Sequence, residues 1–516
     1  PPPPAPRPRG AHPMRDSKLG AAIVAPRRAV WGSVFAVADA HSAIVLNLGR
    51  VSRTEIGPGL HFKWPLVETA RVFDRRLQVL PAEPERYLTS ERKDVSVDFF
   101  AIGQIEDTRA FYRATGGDEA LAILGRYERA TGFAGAKQSN HFTLVPALVT
   151  GASQQRDVTA NNKGDWQTEN PVYGRTVNPY DPTRSPGGSS GGAAAALAAR
   201  MVPVADGSDM MGSLRNPAAF CNVYGFRPSW GLVPSDADGD TFLSTMSTEG
   251  PMARCIEDVA RLLDVQAGPN PRVPFGRISE RFGDKLNIDV QGMRIGWLGD
   301  WGGAYAFEPG IIGACETALQ VFADMGATVE PLPPPFSAAE LWQSWVTLRA
   351  MMNSNAMRTL YDDLATRAQI KPETIWEIEQ GLNLTADAVY AASVIRSRWY
   401  ARAADLFQTY DALVLPTAQV WPFPVEWRWP QTINDRAMDT YHRWMEVVIP
   451  ASLVGLPALN LPAGFGAKGS RSDGLPMGMQ LIGPVGADAK VLAMGQSYHL
   501  ATDWPNKRPP PTAAVA

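Results

Sequence analysis

The chain reads as α/β over its larger carboxy-terminal part, with helices on both faces of a sheet, preceded by a smaller, mainly β segment. Three observations predict this. Short apolar runs at 293–298 and 412–415 suit buried strands. Between them, residues 308–325 place Ile311, Cys315, Leu319 and Phe322 on one helix face, stop at Gly326, and lead into a strand-like stretch at 327–330. From about 34 to 122 the pattern changes to strands: AIVLNLGRV, a turn at Gly57-Pro58-Gly59, LHFKWPLVETARVFDRRLQVL and the alternating KDVSVDFFAIGQI. With 516 residues, 45% of them hydrophobic and 20% charged, the chain has material for one large core and a small additional domain.

Composition narrows the function classes. A net charge of -3 supplies no basic field, so no nucleic-acid partner is expected. The 3 cysteines are widely separated and odd in number, which suggests neither a metal site nor a disulfide framework. Cys221, within AAFCNVYGF, is expected in the core. The apolar candidate LGAAIVAPRRAVWGSVFAV is interrupted by Pro26, Arg27 and Arg28, whereas a spanning helix needs about 20 mainly apolar residues, so no span is expected. The leading PPPPAPRPRG reads as disordered. A cytoplasmic location without cofactor or metal follows, and self-association stays open.

The chemistry is concentrated at 185–217, SPGGSSGGAAAALAARMVPVADGSDMMGSLRNP. A serine hydroxyl is a poor nucleophile unless a base takes its proton and backbone amides receive the charge that develops on the substrate oxygen. Residues 201–205 suit a buried strand that empties into a loop from Asp206 to Ser213, where glycines allow a tight turn. Upstream, Gly187-Gly188-Ser189-Ser190-Gly191-Gly192 can approach the same point before a helix at 193–200. A glycine-serine run alone is usually a linker. Followed by a helix, a strand and a second glycine-serine loop, it reads as a site, with Ser213 at the end of the turn and Ser189 as a relay.

These segments resemble the amidase signature family. The resemblance is carried by NPYDPTRSPGGSSGG, ADGSDMMGSLRNPAAFCNVYGFRPS, GLPALNLPAGFG and GLPMGMQLIGP, and runs from about 161 to 508. It implies the family's mixed sheet covered by helices and a serine hydrolase of carboxamide C–N bonds. It also implies Ser213 as nucleophile, Ser189 as a cis-serine relay with Ser190 in support, and the amides of Met210, Met211, Gly212 and Ser213 as an oxyanion hole. Asp209 would pair with Arg215 beneath that turn, where an ordinary surface ion pair is the alternative.

Two positions depart from the family. Where it has two glycines before the nucleophile, this chain has Met211 first, a Cβ where the loop could need positive φ. The family's lysine, some seventy to eighty residues before the cis-serine, has no counterpart. Lys93, Lys137 and Lys163 are candidates with an exposed, solvated lysine as the default reading of each, so the general base is unassigned. None of the six histidines, His12, His41, His61, His141, His442 and His499, lies in a motif that would place it beside Ser213.

The amino-terminal strands resemble the HflC branch of the stomatin/prohibitin family, carried by GPGLHFKWPLVETARVFDRRLQVL, EPERYLTSERKDVSVDFFAIGQIED and FYRATGGDEA. The resemblance implies a scaffold and explains Lys93 without catalysis. The expected organisation is a leader at 1–33, this segment at 34–122, a junction at 123–160, an amidase domain at 161–508 lacking its usual opening part, and a tail at 509–516. Trp342, Trp345, Trp421, Trp427, Trp429 and Trp444 fall where the family lines its acyl pocket, which would suit an aryl or bulky apolar amide, although core packing accounts for most tryptophans. Two functions result: an amide hydrolase acting on a small molecule, or a catalytically inactive amidase-fold scaffold.

Overall fold

The computed structural model describes residues 33–38, 41–65, 67–74, 78–81, 85–88, 94–97, 100–103, 169–170, 174–235, 240–368 and 370–511. Chain contacts divide it into two compact units, Pro1–Ala147 and Leu148–Ala516. The regions expected as a leader (but for Ser33) and as a junction lie outside the described residues, as do Lys93, Lys137 and Lys163.

In the first unit the regular elements among the described residues are all strands. β1 (Val34–Val37) pairs antiparallel with β4 (Gly59–Phe62). β2 (His41–Asn47) lies between β3 (Arg50–Ile56) and β5 (Glu68–Asp74), antiparallel to both. Ala43, Ile44 and Val45 are fully buried at the centre of β2, as its apolar run requires. Two further antiparallel pairs join β6 (Gln78–Pro81) to β9 (Phe100–Gly103) and β7 (Glu85–Leu88) to β8 (Asp94–Val97).

The second unit is built on an eight-stranded mixed sheet. Its strands are β10 (Val204–Asp209), β11 (Tyr224–Arg227), β12 (Thr248–Ala253), β13 (Arg294–Trp297), β14 (Thr328–Pro331), β15 (Ala412–Pro416), β16 (Ala458–Phe465) and β17 (Pro476–Ile482). They are ordered β10-β12-β11-β16-β17-β15-β13-β14. The β14-β13-β15 end is parallel and the remaining pairs are antiparallel. Consecutive side chains of β16 point to opposite faces, and both faces are covered. Leu459 and Leu461 meet Gly495 of helix 488–502, while Asn460 lies beside Gly478, which abuts Ala219 of helix 215–220.

The strands expected near 293–298, 327–330 and 412–415 are present within two residues of those bounds. The helix expected at 308–325 runs Ile311–Asp324, buries Ile311, Cys315, Leu319 and Phe322, and is followed by Gly326 at φ +89°. The strand expected at 201–205 is displaced. Met201 is exposed, and the strand begins at Val204 and continues through Asp206-Gly207-Ser208 to Asp209, residues that read as a loop. Register explains the shift: each residue from Val204 to Asp209 faces a partner on β12, ending at Asp209 opposite Thr248, and this pairing outweighs the poor strand preference of Asp and Gly.

Candidate active site

The turn that follows β10 carries Met210 to Leu214 and passes directly into helix Arg215–Phe220. Against it packs the glycine-serine segment. The Ser190 amide donates to the Ser213 carbonyl at 3.2 Å, and the Gly188–Ser189 peptide is cis. Ser190 then begins helix Gly191–Ala198, whose alanines are buried. Small side chains allow this helix to lie close on β10, which brings Ser189 and Ser190 to the turn that carries Ser213. Ser213 and Ser190 are buried, and Ser189 is half-buried. Ser190 Oγ has no hydrogen-bond partner among the described residues.

Beneath the turn lies a fully buried charge cluster. Asp209 accepts from Arg215 Nε at 2.9 Å and Nη2 at 3.0 Å. Arg227 Nη1 lies 3.4 Å from the same carboxylate and also donates to the Asp209 carbonyl. Arg215 further reaches Ser452 Oγ at 2.6 Å, the Val448 carbonyl at 3.3 Å and Gln480 Oε1. The alternative of a surface ion pair is therefore wrong, since both Asp209 and Arg215 are inaccessible to solvent. Burial pushes the Asp209 carboxyl up, but the two guanidiniums and the Gly212 amide outweigh it and hold the group at about 2. Arg227, brought down to about 10 by burial, remains protonated at neutral pH. Two guanidiniums against one carboxylate leave a net positive charge under the turn.

The turn itself corrects two expectations. The Gly212 amide donates to Asp209 Oδ1 at 2.8 Å, which occupies one of the four amides expected to face a substrate. Among the described residues, the amides of Met210, Met211 and Ser213 donate to no protein acceptor. Positive φ falls on Gly212, at +81°, and not on Met211, whose side chain is fully buried. The turn thus needs one glycine, at the position where a Cβ would stand 2.9 Å from Asn216 Nδ2 and 3.0 Å from Val448 Cγ1. Met211 is accommodated as core.

Leu214, next to Ser213, occupies a hollow in the sheet. A Cβ added at Gly207 would lie 2.9 Å from Leu214 Cδ2, one at Gly250 2.8 Å from Cδ1, and one at Gly225 would strike the Leu214 carbonyl oxygen. Gly207 and Gly250 are paired in register on β10 and β12, and Gly225 follows on β11.

Against Met210 of the turn lies a second polar cluster that the sequence did not reveal. Arg349, on helix Ala338–Ala356, donates to His442 Nε2 at 3.1 Å and pairs with Glu377 of helix Pro372–Leu382 at 2.6 Å. Asn353 Nδ2 also donates to Glu377, at 2.9 Å, and Arg349 Nη1 points at Met210 Sδ, 2.9 Å away. Burial, reinforced by the Arg349 charge, drives His442 down to about 3, so its ring is neutral and accepts. Burial would raise Glu377, but the Arg349 charge, with the hydrogen bonds from Asn353 and Arg349, holds it below the usual range. His442 is thus one side chain from Met210, where no motif had placed it. Of the tryptophans, Trp345 and Trp444 are buried and Trp444 packs edge-on to Phe423, which meets Phe220 in turn. Trp421 is held by Glu308 and Pro309 as a structural residue, and Trp427 is exposed.

A large mixed sheet between helices, carrying a glycine-serine segment against a serine turn, defines an amidase-type hydrolase fold. The chain belongs to the amidase family, whose model matches residues 165–492. Residues 36–131 match the SPFH domain / Band 7 family. The A-type subunit of the glutamyl-tRNA(Gln) amidotransferase of Chloroflexus aurantiacus is 34% identical over 368 residues, covering 66% of this chain and 72% of that protein. Its counterpart in Thermus thermophilus is 36% identical over 355 residues, covering 65% and 72%. Among solved structures, a bacterial aryl acylamidase of the amidase signature family superposes with a TM-score of 0.63 at 29% identity, covering 68% of this chain and 72% of that one. Among the described residues no helix is long and apolar enough to cross a membrane.

Proposed function

We propose that the protein hydrolyses a small-molecule carboxamide through a serine acyl-enzyme. Ser213 Oγ attacks the carbonyl carbon, and its proton passes by way of Ser189 to the leaving nitrogen. The C–N bond breaks, the amine departs and an ester on Ser213 remains. Water then attacks that ester, releasing the acid and returning the proton to Ser213. The amides of Met210, Met211 and Ser213 receive the oxyanion, and the intermediate proton acceptor is left unassigned.

The observation that supports this reading most is the buried Asp209–Arg215–Arg227 cluster. Its net positive charge sits beneath the turn, in a dry setting where it favours negative charge developing above. The aryl acylamidase suggests an aryl anilide as test substrate. We place the protein in the cytoplasm, in keeping with three cysteines suited to no disulfide framework.

Ser213→Ala tests the assignment. Removing the nucleophile is expected to abolish release of the aryl amine and labelling by a serine-directed fluorophosphonate, with the fold retained by circular dichroism. Full turnover in that variant would exclude Ser213 as nucleophile. A second reading, an amidase fold serving as an inactive scaffold, draws on the SPFH-like match at 36–131. Wild-type protein that neither turns over amides nor takes up the label would favour it.

A further inference from the structure

We infer that Arg349 is a positioning residue for the nucleophile turn, acting by holding the Met210 side chain. The inference rests on the amidase reading above for its catalytic consequence, while the clamp itself rests on geometry alone.

Met210 is the first residue past β10 and contributes the first free amide of the turn. The rest of the turn is fixed independently: Gly212 by its bond to Asp209, Leu214 by its hollow, and Arg215 by four partners. Among the described residues Met210 has no such backbone anchor. Its side chain, an unbranched thioether with three rotatable bonds, is among the most adaptable in proteins. Arg349 removes that freedom.

The guanidinium is itself immobilised from three elements. Its own helix supplies the stem, helix Pro372–Leu382 supplies Glu377, and the segment entering Arg443–Val448 supplies His442. Glu377 is braced by Asn353, one turn along the Arg349 helix. A planar group tied on one side to Glu377 and His442 has fixed directions for its remaining N–H bonds, and one of these ends on Met210 Sδ at 2.9 Å. A thioether is a weak acceptor. The contact therefore adds little to stability compared with a bond to a carbonyl, and its consequence is the location of Met210.

The test combines a structural readout with a kinetic one. Full-length protein labelled with [methyl-13C]methionine is compared with Met210→Leu, which identifies the Met210 methyl signal. Arg349→Met strands the Glu377 carboxylate, so Arg349→Met with Glu377→Gln is examined beside it, and Arg349→Lys serves as the conservative variant. The Met210 methyl is expected to be restricted in wild type and to move to the position of a freely rotating methionine in both Arg349→Met backgrounds. On an aryl anilide, Arg349→Met and Met210→Leu are each expected to lower kcat by about ten- to a hundredfold with KM changed less than about twofold. The Arg349→Met/Met210→Leu double variant should show no further loss, and Arg349→Lys should recover part of it.

A Met210 signal indifferent to Arg349 would overturn the clamp, as would additive effects on kcat. A signal that responds while kcat is unchanged would overturn the catalytic role. If wild type neither turns over amides nor labels at Ser213, the amidase reading fails and takes the catalytic role with it. The methyl signal then decides the clamp by itself.

Discussion

His442 shows most directly how one residue couples the site to solution conditions. It is neutral in the fold, with its pKa brought down to about 3 by burial and by Arg349, whereas in the unfolded chain it titrates near 6.5. Between these values the unfolded state binds the extra proton, so stability falls as pH drops through that window and is fully present above it. The slope from this one group reaches at most about 1.4 kcal/mol per pH unit. Melting temperatures between pH 7 and pH 4 should therefore fall less steeply in His442→Gln, which retains an acceptor for Arg349, than in wild type. Parallel curves for the two proteins would show that His442 is not the titrating group. Asp209 adds a second loss at lower pH: its stabilisation is present above about 4 and disappears as pH falls towards its folded value of about 2.

At this scale the sequence was partly legible. Ser189 and Ser213 lie in contiguous motifs with glycine spacing, so local pattern brought them forward, and the family resemblance added Ser190. Arg215 came forward through the family resemblance, which implies its pairing with Asp209. The partners that complete the cluster come from far along the chain: Arg227 from β11, Ser452 from just before β16, and Gln480 from β17. Arg349, Glu377 and His442 meet in the same way from three separate elements, and an arginine on an apolar helix carries no local mark of its partner.

Among the elements, β10 and the helix before it set the site's precision. Gly207 is the point of closest approach, since a Cβ there would strike Ser190 Oγ and stand 2.9 Å from Leu214 Cδ2. Gly207→Ala is expected to separate the serine segment from the turn and to destabilise the protein by about 1–3 kcal/mol, the usual cost of overpacking a tight interior. Chemical denaturation checks the stability, and loss of fluorophosphonate labelling at Ser213 checks the separation. A variant with unaltered midpoint and labelling would show that the helix simply shifts to admit a methyl group. The displaced strand belongs to this scale too. Asp206-Gly207-Ser208-Asp209 reads as a loop by composition because the sheet partner that makes it a strand lies some forty residues away on β12.

The whole molecule has two compact units of unequal core. Buried apolar residues in the described part of the first are confined to Val37, Ala43 to Leu46 and Phe73, whereas the described part of the second buries apolar side chains from Ala193 to Tyr498. Separate cores are expected to melt separately. Scanning calorimetry should give a small transition from the first unit and a larger one from the second, and addition of a tight acylating inhibitor should raise only the larger. A single calorimetric transition that shifts as one would show that the two units unfold together. The family matches follow the same division, with SPFH-like residues 36–131 in the first unit and amidase residues 165–492 in the second.

The hollow that receives Leu214 exists because Gly207 and Gly250 are abreast, with Gly225 nearby on the next strand. Slide β12 by one residue against β10 and either Glu249 or Pro251 comes abreast of Gly207 instead. The neighbouring serine would then be lifted off its seat, although every residue of the turn from Met210 to Leu214 was still present. Strand alignment in this protein is thus a gauge of chemical competence: a population of chains misaligned by one residue would pass for folded by secondary-structure content and yet be silent towards substrate.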